Sequence, residues 1–231
     1  TPTLTQDNAS NNFSTLNPLV AQGDTFTNGN TTITRSASSW RSAFSTIALP
    51  TTGKWYCEFK TSTAGGSDVR IGISDQKADG IMDLQNRGQS NEMGAAANGV
   101  AYVSNGNYQS NPGTIGSYGD SFTSSNVIGV AVDMDNSNIY FSKDGVFQNS
   151  GVPTSGSTGT GALPIPVSTD LPYVIGVSIY AAGCHVNFGN GFFGTTAISS
   201  SNADAAGHGL MEYAVPTGYY TLCTKNLNTY G

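Results

Sequence analysis

Charged side chains are scarce in this sequence: they make up 10% of its 231 residues, against roughly 25% in an average soluble protein. Only nine residues are lysine or arginine, and the formal net charge is −6. Affinity for nucleic acid depends on clustered basic groups, so we expect no nucleic-acid partner. The same shortage disfavours an anionic membrane surface. No apolar run approaches the roughly 18 residues of a membrane-spanning helix, so we predict no membrane insertion.

Cysteine is scarce as well. The three cysteines, Cys57, Cys184 and Cys223, each stand alone, without a C-x-x-C motif or a nearby histidine pair. This spacing disfavours a zinc site, and an odd count without paired spacing disfavours a disulfide framework. Cys57 and Cys184 fall within strand patterns, where a free cysteine packs as a small hydrophobic residue. We therefore predict no bound metal and no cofactor.

Common catalytic motifs are missing, because the sequence contains neither G-x-S-x-G nor H-E-x-x-H. His185 lies in the strand pattern CHVNF, which favours a hydrogen bond within the fold over a role as a base. His208 lies in the polar segment DAAGHGL, where solvent exposure is expected. A triad of either histidine with a distant serine remains open. The shortage of converging titratable groups nevertheless predicts a protein that is not an enzyme.

Uncharged polar residues and glycine take the place of charge. Disorder is not indicated, because 10% of the residues are aromatic and 37% are hydrophobic, whereas disordered chains have few aromatics and a high net charge. Long polar loops on a β-sheet core fit this composition better. A chain of 231 residues suits one large β domain and can bury a full core without metal or disulfide support.

The most strongly patterned stretch covers residues 127–149, VIGVAVDMDNSNIYFSKDGVFQN. Its β-branched start predicts a strand, and the Asp, Asn and Ser cluster at 133–138 predicts a turn. Ile139, Tyr140 and Phe141 begin a second strand. Asp144-Gly145 is a dipeptide typical of tight hairpins, so a third strand is expected from Val146.

Three further segments have strand patterns. In residues 54–60, alternate side chains fall on opposite faces, with Trp55, Cys57 and Phe59 together, which indicates a strand with one buried side. We predict residues 69–74 as its pairing partner. We also predict a strand over 171–180 with an antiparallel successor at 184–188. Residues 25–49 predict two or three antiparallel strands joined at Asn28-Gly29.

The hairpin at 127–151 resembles the signature of SPRY domains: an aliphatic strand ending in Asp-x-Asp, an aromatic strand, then Lys-Asp-Gly. Three more motifs follow the order of that family: GKWYCEF at 53–59, IGIS at 71–74 and VNFGNGFF at 186–193. The resemblance implies an all-β, SPRY-like sandwich of two antiparallel sheets with long loops at one edge. It also implies buried positions for five aromatic residues: Trp55, Tyr140, Phe141, Phe188 and Phe192.

The resemblance changes how two acidic residues are interpreted. Asp133 and Asp135 are the pair that a glycosidase would need, but their place in the family hairpin implies that they cap turn amides. DMDNSN is rich in oxygen ligands, yet it lacks the glycine and the glutamate of a calcium loop. Asp79 and Asp83, in the long segment 76–97, are weaker candidates for a metal. A loop of that length is typically functional or mobile.

We expect three regions in the chain: an irregular lead-in over 1–24 that packs on the domain, a SPRY-like sandwich over 25–195, and a C-terminal extension over 196–231 that leads into a further domain. The lead-in motif FSTLNPL at 13–19 and the ending GYYTLCTKNLN at 218–228 resemble segments that flank SPRY-like domains in phage virion proteins. We expect the apolar residues of the lead-in, including Leu19, to dock on the sandwich.

Candidate binding residues are those in or beside segments predicted as loops: Trp40, Arg87, Tyr108 and Tyr118. The resemblance implies that such loops form the ligand-contacting edge of the sandwich, while ordinary packing is the competing interpretation for each residue. Flat aromatic faces with a few amide and hydroxyl groups suit sugars and peptides.

Three classes of function follow. The first is a non-catalytic module of a viral surface appendage, such as a phage tail fibre, located on the virion. It recognises a host cell-surface receptor or glycan, or another virion protein, and a homotrimer fits this class. The second is a cellular SPRY adaptor that binds a short peptide. The third is a carbohydrate-active enzyme, which the sequence favours least.

Overall fold

Strands account for nearly all regular structure in the computed structural model, which describes residues 8–20, 23–63, 69–75, 92–95, 98–110, 113–166 and 172–231. The strands form two large sheets, and side chains from both sheets share one buried apolar cluster. Within the described ranges, no helix is long and apolar enough to cross a membrane. This architecture confirms the predicted all-β fold with two antiparallel sheets.

The first sheet has nine strands: β1 (Thr25–Thr27), β2 (Thr32–Thr34), β4 (Lys54–Thr63), β9 (Val127–Asp133), β10 (Asn138–Lys143), β11 (Val146–Phe147), β12 (Leu163–Pro164), β14 (Gly183–Asn187) and β17 (Tyr220–Thr221). Their order is β1-β2-β14-β4-β9-β10-β11, with β12 paired to β10 and β17 paired to β4. All pairs are antiparallel except β17 with β4. The β1–β2 pair confirms a hairpin at Asn28-Gly29.

The second sheet has six strands in the order β3-β13-β5-β6-β7-β8: β3 (Trp40–Phe44), β5 (Val69–Asp75), β6 (Gly99–Val103), β7 (Asn107–Ser110), β8 (Thr114–Ser117) and β13 (Tyr173–Tyr180). The remaining elements are short: a two-stranded sheet of β15 (Phe192–Phe193) and β16 (Thr196–Ala197), the 3-10 helices Pro18–Val20 and Gly156–Thr158, and the C-terminal helix α1 (Thr224–Tyr230).

The predicted triple-strand stretch forms as expected in β9, β10 and β11. Asp144 and Gly145 adopt φ values of 50° and 81°, the left-handed conformation that a two-residue hairpin turn needs at both positions. Their flanking residues Lys143 and Val146 pair directly. Local sequence therefore determines this part of the fold.

Two predicted pairings are wrong. Strand β4 pairs with β14 and β9, while β5 lies in the second sheet between β13 and β6. Similarly, β14 does not pair with its predecessor β13 but crosses to the first sheet, beside β2 and β4. The physical reason is that alternation identifies a buried face and not a sheet, and in a sandwich both inner faces alternate in the same way.

Strand β4 is buried on both faces, so the prediction of one buried side is also wrong. Trp55, Cys57 and Phe59 face the core between the sheets. On the outer face, Tyr56 is 1% exposed and Glu58 is fully buried. Tyr56 packs there with Met211, Tyr219 and other apolar side chains. The C-terminal extension therefore covers this face.

The lead-in packs on the sandwich through two side chains. Phe13 and Leu16 are buried and form bridges with Cys223 and Ser45, respectively. Leu19 is 82% exposed, so its predicted docking is wrong. The three cysteines are free and buried, as predicted for Cys57 and Cys184.

Four of the five aromatic residues expected in the core are fully buried: Trp55, Tyr140, Phe141 and Phe188. Phe192 is only partly buried, and its neighbour Phe193 is the buried residue of β15. Tyr140 lies in the outer cluster under the C-terminal extension, and the other three lie between the sheets.

Candidate functional site

Five described connections lie at one end of the sandwich: 35–39, 104–106, 118–126, 144–145 and 181–182. The strand registers place these connections together. In the first sheet, Thr63 pairs with Gly183, and in the second sheet, Trp40 pairs with Tyr180. Only the two-residue link 181–182 separates Tyr180 from Gly183, so the two sheets meet at this end. We call this the loop end. Hydrogen bonds join its loops, for example from Asn126 Nδ2 to Asp144 Oδ2 at 2.6 Å and from Lys143 Nζ to the Ser121 carbonyl at 2.8 Å.

A cluster of polar and aromatic side chains lies on the outer face of the second sheet at this end. Trp40 begins β3 and pairs with Tyr180, and their rings are 5.6 Å apart. The Arg70 guanidinium, on β5, stacks 4.5 Å from the centre of the Trp40 ring. Arg70 also forms an ion pair with Glu92 at 2.9 Å and donates a hydrogen bond to Gln109. We call these five residues the Trp40 patch.

The pleat explains why these side chains share one face. Ala43 of β3 lies in the core between the sheets, so Trp40, Ser42 and Phe44 point outward. On that outer face, Phe44 packs against Met93. The Met93 amide donates a hydrogen bond to Ser178 Oγ at 2.8 Å, which holds residues 92–95 against the sheet and brings Glu92 to Arg70.

Two atoms of the patch are buried without a hydrogen-bond partner among the described residues: Arg70 Nε and Glu92 Oε2. Burial lowers the pKa of Arg70, and the Glu92 carboxylate opposes that shift. An unsatisfied buried polar atom costs about 1–3 kcal/mol, whereas a guanidinium on an indole face gains about 0.5–2 kcal/mol. The patch therefore has one unused donor and one unused acceptor.

The structure corrects the placement of two predicted site residues. Trp40 lies in β3 and is 9% exposed, and Tyr108 lies in β7 and packs against the main core. Short strands that carry polar residues resemble loops in sequence, which explains the error. Tyr118 lies in the connection 118–126, as predicted, but it is buried, with 4% of its surface exposed. Arg87 lies outside the described residues, as do Asp79 and Asp83.

Only Trp40 of the predicted residues reaches the outer patch; ligand contact by any of the four stays a prediction. Sequence reasoning missed the other four residues of the patch, Arg70, Glu92, Gln109 and Tyr180. A signal for Arg70 was present in VRIGIS, where alternation places an arginine opposite the apolar face of a strand. Glu92 carried no such signal, because its segment has no strand periodicity.

Replacing Tyr118 by alanine is expected to lower the free energy of unfolding by about 3–5 kcal/mol, the usual cost of removing a buried aromatic ring. Its ring makes edge contacts with Tyr102 at 5.3 Å and Phe141 at 5.7 Å. Its hydroxyl accepts the Phe141 amide at 3.1 Å. Urea denaturation measures the loss, and Tyr118→Phe, which removes only the acceptor, should cost about 1–3 kcal/mol. An unchanged midpoint for Tyr118→Ala would contradict the core placement.

Asp133 and Asp135 have the structural role that was predicted for them. Asp133 Oδ1 accepts the Asn136 amide at 3.1 Å, and Asp133 Oδ2 lies 2.9 Å from Lys54 Nζ. Asp135 Oδ1 accepts the Gly53 amide at 2.8 Å. The carboxylates therefore cap the β9–β10 turn and join it to the start of β4.

The two histidines also make contacts within the fold. His185 Nδ1 lies 2.9 Å from Thr32 Oγ1, as predicted, and burial lowers its pKa, with a smaller effect from Lys60. The His208 amide donates to Asp204 Oδ1 at 2.9 Å. In the part of the chain that the structure describes, no three His, Cys, Asp or Glu side chains are grouped to hold a metal.

Glu58 is the carboxyl group with the most unusual environment. Burial raises its pKa to about 7. Its oxygens accept the amides of Glu212 and Tyr213, both at 2.8 Å, and the Asn187 side chain at 3.3 Å. A pKa near neutrality suits a general acid, but Glu58 is fully buried. It therefore fastens the C-terminal extension to β4 and has no access to a substrate.

Comparison with protein families gives a match for residues 54–190, more than half of the chain, to the family described as SPRY domain. This chain belongs to the SPRY domain family. Its matched region runs from β4 to just past β14 and therefore includes Arg70, Glu92, Gln109 and Tyr180 but not Trp40. Comparison with curated protein sequences finds no match.

Two solved structures resemble this SPRY domain. The SPRY domain of human HERC1 is 16% identical, with a TM-score of 0.55 over 74% of this chain and 96% of that one. A second human SPRY domain is also 16% identical, with a TM-score of 0.51 over 71% of this chain and 96% of that one. At this identity the likeness concerns the fold alone.

Proposed function

We propose that this chain is a non-catalytic interaction module that binds a protein partner through the loop end and the Trp40 patch. SPRY domains are typically protein–protein interaction modules, and the family assignment supports this class. The observation that carries the proposal is the pair of unsatisfied atoms, Arg70 Nε and Glu92 Oε2. A peptide group offers one acceptor and one donor, so a partner segment that replaces local covering residues satisfies both atoms.

The geometry of the patch supports a protein ligand for a second reason. Tryptophan, tyrosine and arginine are the residue types that contribute most to protein interfaces. At this end Arg70 stacks on Trp40, and the Tyr180 ring lies tilted beside the indole. The loops beside them are joined by hydrogen bonds, so little order has to be gained on binding. Trp40 and Gln109 are only 9% and 4% exposed, so a partner gains access to the patch by displacing the residues that cover it.

We further propose that the module belongs to a viral surface appendage, such as a phage tail fibre, and binds a host receptor or another virion protein. Two observations support this finer assignment: the uncharged polar composition and the resemblance of both flanking segments to phage virion proteins. Localisation on the virion and a homotrimeric state are part of the same proposal. The alternative is a cellular adaptor that binds a short peptide, which the unused donor and acceptor of the patch also favour.

Purified chain tested against whole bacterial cells and against a peptide library distinguishes the two classes. Arg70→Lys is expected to weaken the affinity for a protein or peptide ligand about 10–100-fold, because lysine keeps the charge but loses the planar fork and the stacking on Trp40. Arg41→Lys is the matched control: Arg41 lies on β3 next to Trp40 but on the opposite face of the pleat, and the affinity of this variant should stay within about threefold of the parent.

The two classes predict different results in these assays. Binding to cells alone supports the appendage, and binding to peptides alone replaces it with the adaptor. Equal affinity of Arg70→Lys and the parent, with both folded, would overturn the assignment of the patch.

A further inference from the structure

The C-terminal extension builds two neighbouring clefts at the end of the sandwich opposite the loop end. The first has a volume of about 270 Å³ and is lined by residues that include Thr52, Lys54, Asp135, Tyr220 and Tyr230. The second has a volume of about 420 Å³ and is lined by residues that include His208, Asn226, Thr229 and Tyr230. Tyr230 lines both clefts, so the two clefts adjoin at this residue.

The aromatic wall of the first cleft is held in place by the fold. The rings of Tyr220 and Tyr230 stack with centres 3.7 Å apart and planes 11° apart. Tyr220 is fixed by its pairing with Trp55 of β4, and Tyr230 ends helix α1. A Cβ atom on Gly53 would lie 2.7 Å from the Tyr230 carbonyl oxygen, so the helix end lies directly against the β3–β4 connection. Tyr230 remains 37% exposed and available to a ligand.

The second cleft contains a buried amide with an unused acceptor. Asn226 is 1% exposed, and its Nδ2 donates to Asp204 Oδ2 at 2.7 Å and to the Thr221 carbonyl at 2.9 Å. These contacts fix the orientation of the amide. Its Oδ1 is buried and has no hydrogen-bond partner among the described residues. This oxygen can accept a hydrogen bond from an O–H or N–H donor of a ligand.

The lining chemistry selects one class of ligand. Flat tyrosine rings suit the C–H faces of a sugar, and carboxylate, amide and hydroxyl groups suit its hydroxyls. In the first cleft, Lys54 Nζ is already paired with Asp133 at 2.9 Å and Asp135 repels anions, so a phosphate or sulfate group is disfavoured there. The second cleft has one lysine, Lys225, in its lining. The named lining side chains other than the tyrosine rings are polar, which disfavours an apolar ligand.

We propose that the two clefts joined at Tyr230 form a binding site for a neutral saccharide. The ring of Tyr230 supplies the stacking surface, Asp135 and Thr52 hydrogen-bond the sugar on one side, and Asn226 and Thr229 do so on the other. Tyr220, Asn226, Thr229 and Tyr230 lie outside the part of the chain that matches the SPRY family. The site does not depend on the Trp40 patch.

The test is binding of the full chain to an array of neutral oligosaccharides built from hexoses and N-acetylhexosamines, with affinities of the best probe measured by titration. Tyr230→Ala is expected to weaken binding at least tenfold, while Tyr230→Phe, which keeps the ring, should stay within about threefold of the parent. Thr52→Arg, which places a long side chain in the first cleft from an exposed position, should also weaken binding at least tenfold.

Arg70→Lys should bind the saccharide as the parent does, so failure of this site and failure of the protein-binding proposal are distinguishable. Two results would each overturn the saccharide site. One is the absence of binding to any neutral oligosaccharide at millimolar concentration. The other is unchanged affinity of Tyr230→Ala and Thr52→Arg when both variants melt at the temperature of the parent.

Discussion

Replacing Asp204 by alanine is expected to lower the free energy of unfolding by about 3–5 kcal/mol, because it removes the acceptor for five donors in a buried site. Asp204 is 7% exposed. Its Oδ1 accepts the amides of Ala206 and His208, both at 2.9 Å. Its Oδ2 accepts the amide of Thr221 at 2.8 Å and its hydroxyl at 2.7 Å, and the side chain of Asn226 at 2.7 Å.

The loss of stability should affect the whole C-terminal extension. Thr221 belongs to β17, which pairs with Trp55 and Tyr56 of β4, and Asn226 belongs to α1. Removing the carboxylate therefore loosens the extension where it joins the first sheet. Trp55 is fully buried beside β17, so its fluorescence in a urea titration reports this event together with global unfolding.

Asp135→Ala is the matched control for this experiment, since Asp135 is an exposed carboxylate with a hydrogen bond to the Gly53 amide. We expect it to cost less than about 1 kcal/mol. Asp204→Asn should fall between the two, because the amide keeps one acceptor. A loss below about 1 kcal/mol for Asp204→Ala would show that the network contributes little and that other contacts hold the extension.

The Asp204 network also shows what sequence reasoning could not reach. Its partners Thr221 and Asn226 lie 17 and 22 residues further along the chain, and all three residues are polar members of a polar segment. Such residues have no period that marks them as buried. The hairpin of β9, β10 and β11 could be predicted, by contrast, because its turns depend on neighbouring residues such as Asp144 and Gly145.

The assignment of strands to the two sheets could be predicted only in part. The alternation in β4, β5, β13 and β14 correctly predicted that each is a strand, but not which strands pair. A connection such as 181–182 can turn back within one sheet or cross to the other, and the choice depends on packing between distant strands. The candidate site could not be predicted for the same reason. Trp40 and Arg70 come together because β3 and β5 both pair with β13, and Glu92 joins them through its ion pair with Arg70.

The stability of the protein is expected to fall as pH rises from 5 to 8 through the ionisation of Glu58. Burial raises its pKa from the usual 4.5 to about 7 in the folded chain, although the amides of Tyr213 and Glu212 and the side chain of Asn187 oppose the shift. Between these two values the folded chain holds a proton that the unfolded chain has released. The contribution of Glu58 is therefore complete below pH 4.5 and is lost as pH rises through 7.

The expected loss is on the order of 3 kcal/mol, since one pKa unit corresponds to about 1.4 kcal/mol. Glu58→Gln isolates it, because glutamine has the shape of the protonated acid and cannot ionise. We expect the variant to be less stable than the parent at pH 5, because the NH2 group of glutamine cannot accept either backbone amide that Glu58 accepts. We expect the parent to lose part of this advantage between pH 5 and 8. Urea titrations at four pH values measure this difference.

The pH dependence has to be measured against Glu58→Gln because His185 changes the stability with pH in the opposite direction. Burial lowers the pKa of His185 below its usual 6.5, so the unfolded chain binds a proton that the folded chain lacks, and stability rises with pH over that window. This contribution is the same in parent and variant and cancels in their difference. A difference that stays constant from pH 5 to 8 would mean that Glu58 is ionised throughout, with the amides of Glu212 and Tyr213 and the side chain of Asn187 outweighing its burial.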